Sequence, residues 1–459
     1  MSLKLRKILL RFQRRLSRFS AMQIIVLVFL AIILVGSGLL MLPIASKSRQ
    51  VTPFMTALFT ATSCTCVTGL SLVDTFTHWS VFGQAVMLGL IQVGGLGFMT
   101  IAAMFFFAVD RKISLKQRLV MAQSLGLEKL SGVVRMVRLV LRRTLIVEGT
   151  GALLLTIRFC FQIPFGKALW WGVFHSVSAF CNAGFDIMGA VEAGGSLASY
   201  VGDPVVNLVI MALITLGGLG FFVWDDILRN RRFCRLTVHT RMVLLLSAIL
   251  TFGGAAAFAL LEWHNPATLG GLSVGQKLLA ALFQSVTTRT AGFYTIAQGA
   301  LSDASLVVTD LLMFIGGSSG STAGGVKTVT MGVLLLSVFA TARGRSRVTA
   351  FRRTISAGQV SNAVCVVVMV FLAAFVSALY LSVTNGLNFM ACIYETISAI
   401  ATVGLTTGIT PQLGMVSQLI LIVLMFFGRV GVMTISLGFL LSDQTEERYR
   451  FAETKVLIG

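Results

Sequence analysis

The chain has 459 residues, 56% of them hydrophobic and only 12% charged, about half the charged share of an ordinary globular protein. With a mean hydropathy of +0.90, this composition excludes a disordered chain and argues against a soluble fold. The excess of 37 Lys and Arg over 17 Asp and Glu, a net +20, would suit a nucleic-acid binder, so the placement of the charges must decide.

Seven basic residues fall within 1–18 and lead straight into an apolar stretch at 21–42, with no small-residue cleavage site between them. That stretch and a later one at 362–384 are near the roughly 20 residues a membrane-spanning helix needs. Clusters of nine, five and five basic residues follow in 111–143, 229–241 and 343–353, so four segments hold 26 of the 37. The parts of the intervening stretches expected on the opposite side of the membrane carry only Lys47, Arg49, Arg158, Lys167 and Lys277, beside Asp74, Asp186, Glu192, Asp203, Glu262 and Asp303. The positive-inside rule therefore predicts a multi-pass protein of the cell membrane with both termini and three loops in the cytoplasm. Basic clusters separated by spans and poor in aromatics exclude nucleic acid as a partner, while membrane lipid suits them. Of seven cysteines, Cys64, Cys66, Cys181, Cys365 and Cys392 lie in or beside apolar stretches and read as reduced, small apolar residues. The C-x-C at 64 and 66 has no nearby Cys or His to complete a metal site.

One pattern occurs four times: an apolar span, a short apolar segment ending in a polar tract and a glycine, then a second apolar span. The short segments are FMTALFTATSCTCVTGL with Gly69, LWWGVFHSVSAFCNAGF with Gly184, LLAALFQSVTTRTAGF with Gly292, and FMACIYETISAIATVGL with Gly404. These glycines lie 115, 108 and 112 residues apart. A second glycine-marked stretch follows at offsets of 25, 33, 24 and 24: VGGLGF, LGGLGF, GGSSGSTAGG and FFGRVGV. The spacing predicts an all-α polytopic membrane protein of four pseudo-repeats, with eight spans and four re-entrant pore helices around one central pore. The units divide as 1–125, 126–235, 236–350 and 351–459.

The short segments, about 12 to 16 apolar residues each, cannot cross a bilayer core of about 30 Å and should enter and return on one side. Non-helical backbone at that depth must be buried in protein or line water. Glycine permits the positive φ that lets consecutive carbonyls face one axis, and four such turns build rings of oxygens that replace the hydration shell of a monovalent cation. The outer loops carry an acidic excess of one, six acids against five bases, a weak preference for cations. In the third unit, residues 316–325 hold five glycines and four hydroxyl residues, a composition that cannot stay helical in lipid and could obstruct the pore as a movable loop. Lys327 and Thr328 hint at a phosphate-binding loop, but Val326 breaks the G-x-x-x-x-G-K-[ST] spacing.

The turns CVTGL, NAGF, RTAGF and TVGLT, the run GGSSGSTAGGVKT and the stretch FFGRVGV resemble the Ktr/Trk/HKT family of potassium transporters over essentially the whole chain. A first span near residue 21 and the ending KVLIG are similar to its KtrB-type membrane subunits. The resemblance implies a single-chain fourfold pore in a bacterial inner-membrane K⁺ uptake system, with K⁺ as cargo, Na⁺ as a candidate activator and no organic cofactor. It implies that the carbonyls of Val67, Thr68, Asn182, Ala183, Thr290, Ala291, Thr402 and Val403 hold the ion before Gly69, Gly184, Gly292 and Gly404. It further implies a gate at Gly316, Gly317, Ser318, Ser319, Gly320, Gly324 and Gly325 with Lys327 and Arg429, a homodimer, and a cytosolic nucleotide-binding regulatory subunit of RCK/KTN type. Leu or Phe follows each filter glycine, so the filter is shorter than T-V-G-Y-G and should discriminate K⁺ from Na⁺ less sharply.

Intramembrane charges are costly and usually face protein or water. Arg429 either reaches the loop carbonyls or pairs with a buried acid such as Glu395, and Lys327 is equally open between gate and scaffold. Arg289 should brace the third turn by bonding its carbonyls; Glu148 and His175 read as structural. No hydrolase, zinc-protease or intact nucleotide-binding motif is present, so an enzyme is not expected. The alternative is a Na⁺- or H⁺-coupled secondary transporter of a small solute, which would favour two inverted halves over four units of one orientation.

Overall fold

Apolar runs set the helices of this chain, and polar caps and glycines set their ends. The computed structural model describes residues 21–97, 133–190, 195–345 and 347–431. The first unit comprises α1 (Ala21–Met41), α2 (Phe54–Cys66) and α3 (Val81–Leu96), and the second α4 (Val133–Phe159), α5 (Phe165–Phe180), α6 (Pro204–Leu219) and α7 (Phe221–Arg229). The third has α8 (Val238–Glu262), α9 (Val274–Thr287), α10 (Asp303–Phe314) and α11 (Thr328–Ala342), and the fourth α12 (Ala357–Asn385), α13 (Phe389–Ile400) and α14 (Met415–Val430). A two-residue hairpin, Thr349–Ala350 against Arg353–Thr354, is the one sheet among the described residues.

Helix starts are capped by side-chain oxygens that take up first-turn amides. Asp203 accepts from Val205 and Val206 N–H at 3.0 and 3.2 Å ahead of Pro204, and Ser80, Thr237, Ser302 and Ser356 do the same for α3, α8, α10 and α12. Among the described residues three helices, Gln23–Met41 within α1, α8 and α12, are long and apolar enough to cross a membrane, and a fourth span results if α6 and α7, bent by 92°, count as one. This is fewer than the eight full spans expected. The second helix of the third unit is split between α10 and α11, α4 carries Arg138, Arg142 and Arg143, and α3 and α14 end beside segments outside the described residues. The expected boundary at 125/126, both chain ends and most of the basic segment 111–143 also lie outside them.

Packing follows one rule through the chain. Each first helix lies against the short helix of its own unit: α1 on α2, α4 on α5, α8 on α9, and α12 on α13. Each second helix then reaches the short helix of the next unit: α3 meets α5, α6 meets α9, α10 meets α13, and α14 returns to α2. The cycle is closed. Its interior is formed by the short helices, whose ends are buried, including the polar Thr60, Thr62, Ser63 and Thr65. Large apolar side chains point outward instead, with Val35 65%, Leu145 64%, Leu260 82% and Val383 82% exposed, the surface a lipid environment covers.

Glycines in the second helices make this closeness possible. A Cβ on Gly94, Gly217 or Gly428 would lie within 3.0 Å of a carbonyl at the end of a short helix: Thr65, Phe180 and Ile400 respectively. The glycine-marked stretches are thus contact surfaces at which only hydrogen fits.

Candidate functional site

Each short helix ends in the same backbone turn. A residue in the left-handed region comes first, Val67 (φ 58°), Asn182 (59°), Thr290 (69°) or Thr402 (52°). Two residues later follows a positive-φ glycine, Gly69 (101°), Gly184 (70°), Gly292 (84°) or Gly404 (89°). β-Branched side chains at positive φ are genuine outliers, each at a cost of about 1–3 kcal/mol, and strain of this kind persists where surrounding structure fixes it.

The turn's amides face back to the helix. Thr68, Ala183 and Val403 N–H donate to Ser63, Ser178 and Ser398 carbonyls at 2.8 Å, and Ala291 N–H to Thr287 O at 2.9 Å. Hydroxyls complete the fixation: Ser63 and Ser398 Oγ accept from Gly69 and Gly404 N–H at 3.0 Å. Ser178 Oγ donates to Phe185 O at 2.7 Å, and Thr287 Oγ1 donates to Phe293 O. With the amides used inward, the carbonyls are left over. Among the described residues, none donates to the carbonyls of Val67, Thr68, Asn182, Ala183, Thr290, Ala291, Thr402 or Val403, although all eight residues are buried.

The four turns meet. A Cβ on Gly69 would lie within 3.0 Å of Ala183 O, on Gly184 of Ala291 O, on Gly292 of Val403 O, and on Gly404 of Thr68 O. Each glycine thus abuts the carbonyl of the residue before the next glycine, and the series closes on itself. Between the second and third turns, the Asn182 amide and the Thr290 hydroxyl are hydrogen-bonded at 3.3 Å.

The segment between α10 and α11 lies directly against these turns. A Cβ on Gly324 would strike the Thr402 side chain, and one on Gly325 would be 3.1 Å from Ala401. The segment is pinned to α6, where Ser318 N–H donates to Gly218 O at 3.0 Å, Thr322 N–H to Gly217 O at 3.3 Å, and Ser318 Oγ to Leu219 O. Thr322 Oγ1 also donates to Phe180 O at 3.1 Å. Lys327 Nζ donates to Ala323 O at 2.6 Å, within the segment itself. Arg429 reaches it from the fourth unit: its guanidinium donates to Thr322 O and, across to the first unit, to Gly94 O and, at 3.0 Å, Gly95 O.

Three sequence expectations are settled by these contacts. Glu395 is no partner of Arg429, because its carboxylate takes the hydroxyl of Thr410. Arg289 does not bond the third turn's carbonyls; it donates to Ser247 O and Oγ at 3.4 and 3.2 Å and to Thr328 Oγ1 at 3.2 Å, tying α8 to the start of α11. Glu148 has a partner the sequence did not name: Gln92 Nε2, 3.1 Å from each carboxylate oxygen. The anchoring of the loop on α6 also escaped sequence reasoning, and its signal was the double glycine at 217–218.

Beyond the second turn, Asp186 lies two residues after Gly184 and accepts from Met188 N–H at 3.1 Å. Burial pushes its carboxyl up to about 6 against the pull of that bond, with the neighbouring Asp74 raising it further. No group of metal-ligating side chains occurs among the described residues.

Comparison with known proteins gives consistent results. A family profile described as TrkH, a cation transport protein, matches residues 7–448. The chain is 41% identical over 432 residues to the Ktr system potassium uptake protein B of Bacillus subtilis, covering 94% of this chain and 96% of that one. It is 40% identical over 449 residues to the potassium/sodium uptake protein NtpJ of Enterococcus hirae, covering 96% and 98%. Among solved structures, the potassium transporter TrkH from Vibrio parahaemolyticus matches with a TM-score of 0.70 at 18% identity, over 92% of this chain and 84% of that one, a likeness of fold.

Proposed function

The chain belongs to the TrkH family of cation transport proteins, and from that premise we propose that it is the ion-conducting membrane subunit of a bacterial potassium uptake system. The observation that carries this reading is the closed ring of four glycine turns with eight carbonyls free of hydrogen bonds. Two rings of four oxygens, from Val67, Asn182, Thr290 and Thr402 and from Thr68, Ala183, Ala291 and Val403, would replace the water around one dehydrated K⁺. The cyclic packing of the helices supports four pseudo-repeats and eight spans around one pore, and the basic segments favour a bacterial cell membrane with both termini in the cytoplasm. No step makes or breaks a covalent bond, so the protein is a transporter and not an enzyme.

Residues 316–325 serve as the gate. The loop stands against Thr402 at one end of the rings and is tethered by Arg429 at Thr322. A homodimer and a cytosolic nucleotide-binding subunit acting on the basic loops complete the assembly. Na⁺ is the second ion to consider, as activator or as co-transported cargo, because one close relative is named for both potassium and sodium.

Potassium uptake by a transport-deficient strain tests the filter. Gly→Ser at position 69, 184, 292 or 404 forces a side chain onto a neighbouring carbonyl and should weaken K⁺ affinity and K⁺ over Na⁺ preference in each variant. Wild-type affinity and preference in all four would refute the filter.

A further inference from the structure

The short helices share a second feature, three residues before the hydroxyl that fixes each turn. At that place stand Thr60, His175, Gln284 and Glu395, each following a buried aromatic residue, Phe59, Phe174, Phe283 or Tyr394. All four polar side chains are fully buried. Buried polar groups are unfavourable unless bonded, and amphipathic packing does not explain four of them at one register.

Three of the four reach the chain that leaves the filter. His175 Nδ1 lies 2.7 Å from Trp171 O, which can only accept, so Nδ1 carries the proton and Nε2 accepts from Ile187 N–H at 3.4 Å, three residues past Gly184. Gln284 and Gln298, the latter six residues past Gly292, exchange amide hydrogen bonds at 2.6 and 3.1 Å, and Gln298 Nε2 also holds Ile296 O at 2.8 Å. Glu395 accepts from the hydroxyl of Thr410, six residues past Gly404. Thr410 Oγ1 is 3.0 Å from Thr406 Oγ1, which accepts from Gly408 N–H at 2.9 Å. The third and fourth braces are joined, because Tyr394 Oη donates to Gln298 Oε1 at 2.9 Å. Thr60 is the exception: its hydroxyl is buried with no hydrogen-bond partner among the described residues.

We propose that His175, Gln284 and Glu395 are positioning residues that set the ion preference of the filter, each clamping the strand after its glycine to its own short helix, while the first unit is left unclamped at Thr60. The proposal rests on the filter reading above. Carbonyl rings discriminate ions of different radius only if their diameter is held, and backbone with unpaired carbonyls cannot hold itself. The hydroxyls of Ser63, Ser178, Thr287 and Ser398 fix each turn from below; the clamps fix its other end. The fourth clamp ends on a single hydroxyl, Thr410, and is therefore the most direct to test.

The test is Na⁺ competition against K⁺ uptake into proteoliposomes, at matched amounts of inserted protein. Glu395→Ala should lower K⁺ over Na⁺ preference about fivefold, the loss expected for one intramolecular hydrogen bond, mainly through K⁺ affinity. Glu395→Gln keeps an oxygen for Thr410 and should stay near wild type. Thr410→Val should match Glu395→Ala, the double variant should be no worse than either, and Thr60→Val should leave preference unchanged. If Glu395→Ala fails to insert, Thr410→Val, which removes one hydroxyl, carries the test. Wild-type preference in Thr410→Val and Glu395→Ala, with a loss in Gly404→Ser, would overturn the clamp and leave the filter standing. Wild-type preference in the Ser variants of Gly69, Gly184, Gly292 and Gly404 as well would overturn both.

Discussion

Arg429 offers the most direct test of the gate. Arg429→Met keeps an unbranched apolar stem and removes the guanidinium. Of its three acceptors, only Thr322 O belongs to the loop; Gly94 O and Gly95 O are on α3 and tether the arginine wherever the loop lies. The lost latch is therefore one hydrogen bond from a charged donor, about 1.5–3 kcal/mol. At about 1.4 kcal/mol per tenfold, the loop equilibrium shifts about 10- to 150-fold toward release. The bonds of Ser318 and Thr322 to α6 survive the substitution, so the loop stays anchored on one side and the lower part of that range is expected. Potassium flux into proteoliposomes at saturating K⁺, with protein amount matched, should rise by this factor until release is complete. Arg429→Lys, with one compact ammonium in place of a planar fork, should fall between Met and wild type. Wild-type flux in Arg429→Met, alongside raised flux in a variant lacking residues 317–324, would show that the latch at Thr322 does not hold the gate.

Other expectations concern the surroundings of the rings. Asp186 holds its proton to about pH 6, whereas an unfolded aspartate releases it near 3.9, so stability should fall as pH rises between about 4 and 6 and be flat above. In transport, acidifying the outside through pH 6 removes one negative charge near the second turn and should weaken K⁺ affinity, and Asp186→Asn should abolish that dependence in uptake assays. Ser63→Ala and Ser398→Ala each remove the acceptor of a filter-glycine amide, at about 1 kcal/mol, and should raise the K⁺ concentration for half-maximal uptake several-fold. Cys160 and Cys234 are free and exposed on opposite sides of the proposed topology; a membrane-impermeant maleimide should label Cys160 in intact cells and Cys234 only after permeabilisation. Labelling of Cys234 in intact cells would contradict the charge-derived orientation.

Much of the site was legible because its signal is local. Glycine at 69, 184, 292 and 404 follows from backbone conformation, which a turn of three residues dictates. The run 316–325 is excluded from a lipid-embedded helix by its own composition. Contacts across the ring were not legible. Nothing near Arg429 in the chain identifies Thr322, 107 residues away, or Gly94, 335 residues away, as its acceptors, and by composition alone Glu395 is a candidate acid for Arg429, although its carboxylate takes Thr410. Arg289 was misplaced for the same reason: proximity to Thr290 in sequence did not turn its side chain toward the filter.

From sequence alone come the membrane class, the expectation of basic segments on one side and of a fourfold repeat, and the four glycine turns, because hydropathy, charge and glycine spacing are properties of short stretches. The tertiary structure decided that the turns close into a ring in the order of the chain, that the loop is suspended between α6 and Arg429, and that His175, Gln284 and Glu395 bond the chain 12 to 15 residues further on. The ring and the loop contacts are relations between segments about a hundred or more residues apart. They depend on the close approach of helices across glycines such as Gly94, Gly217 and Gly428, and only the packed fold supplies the partner carbonyl that leaves no room for a Cβ.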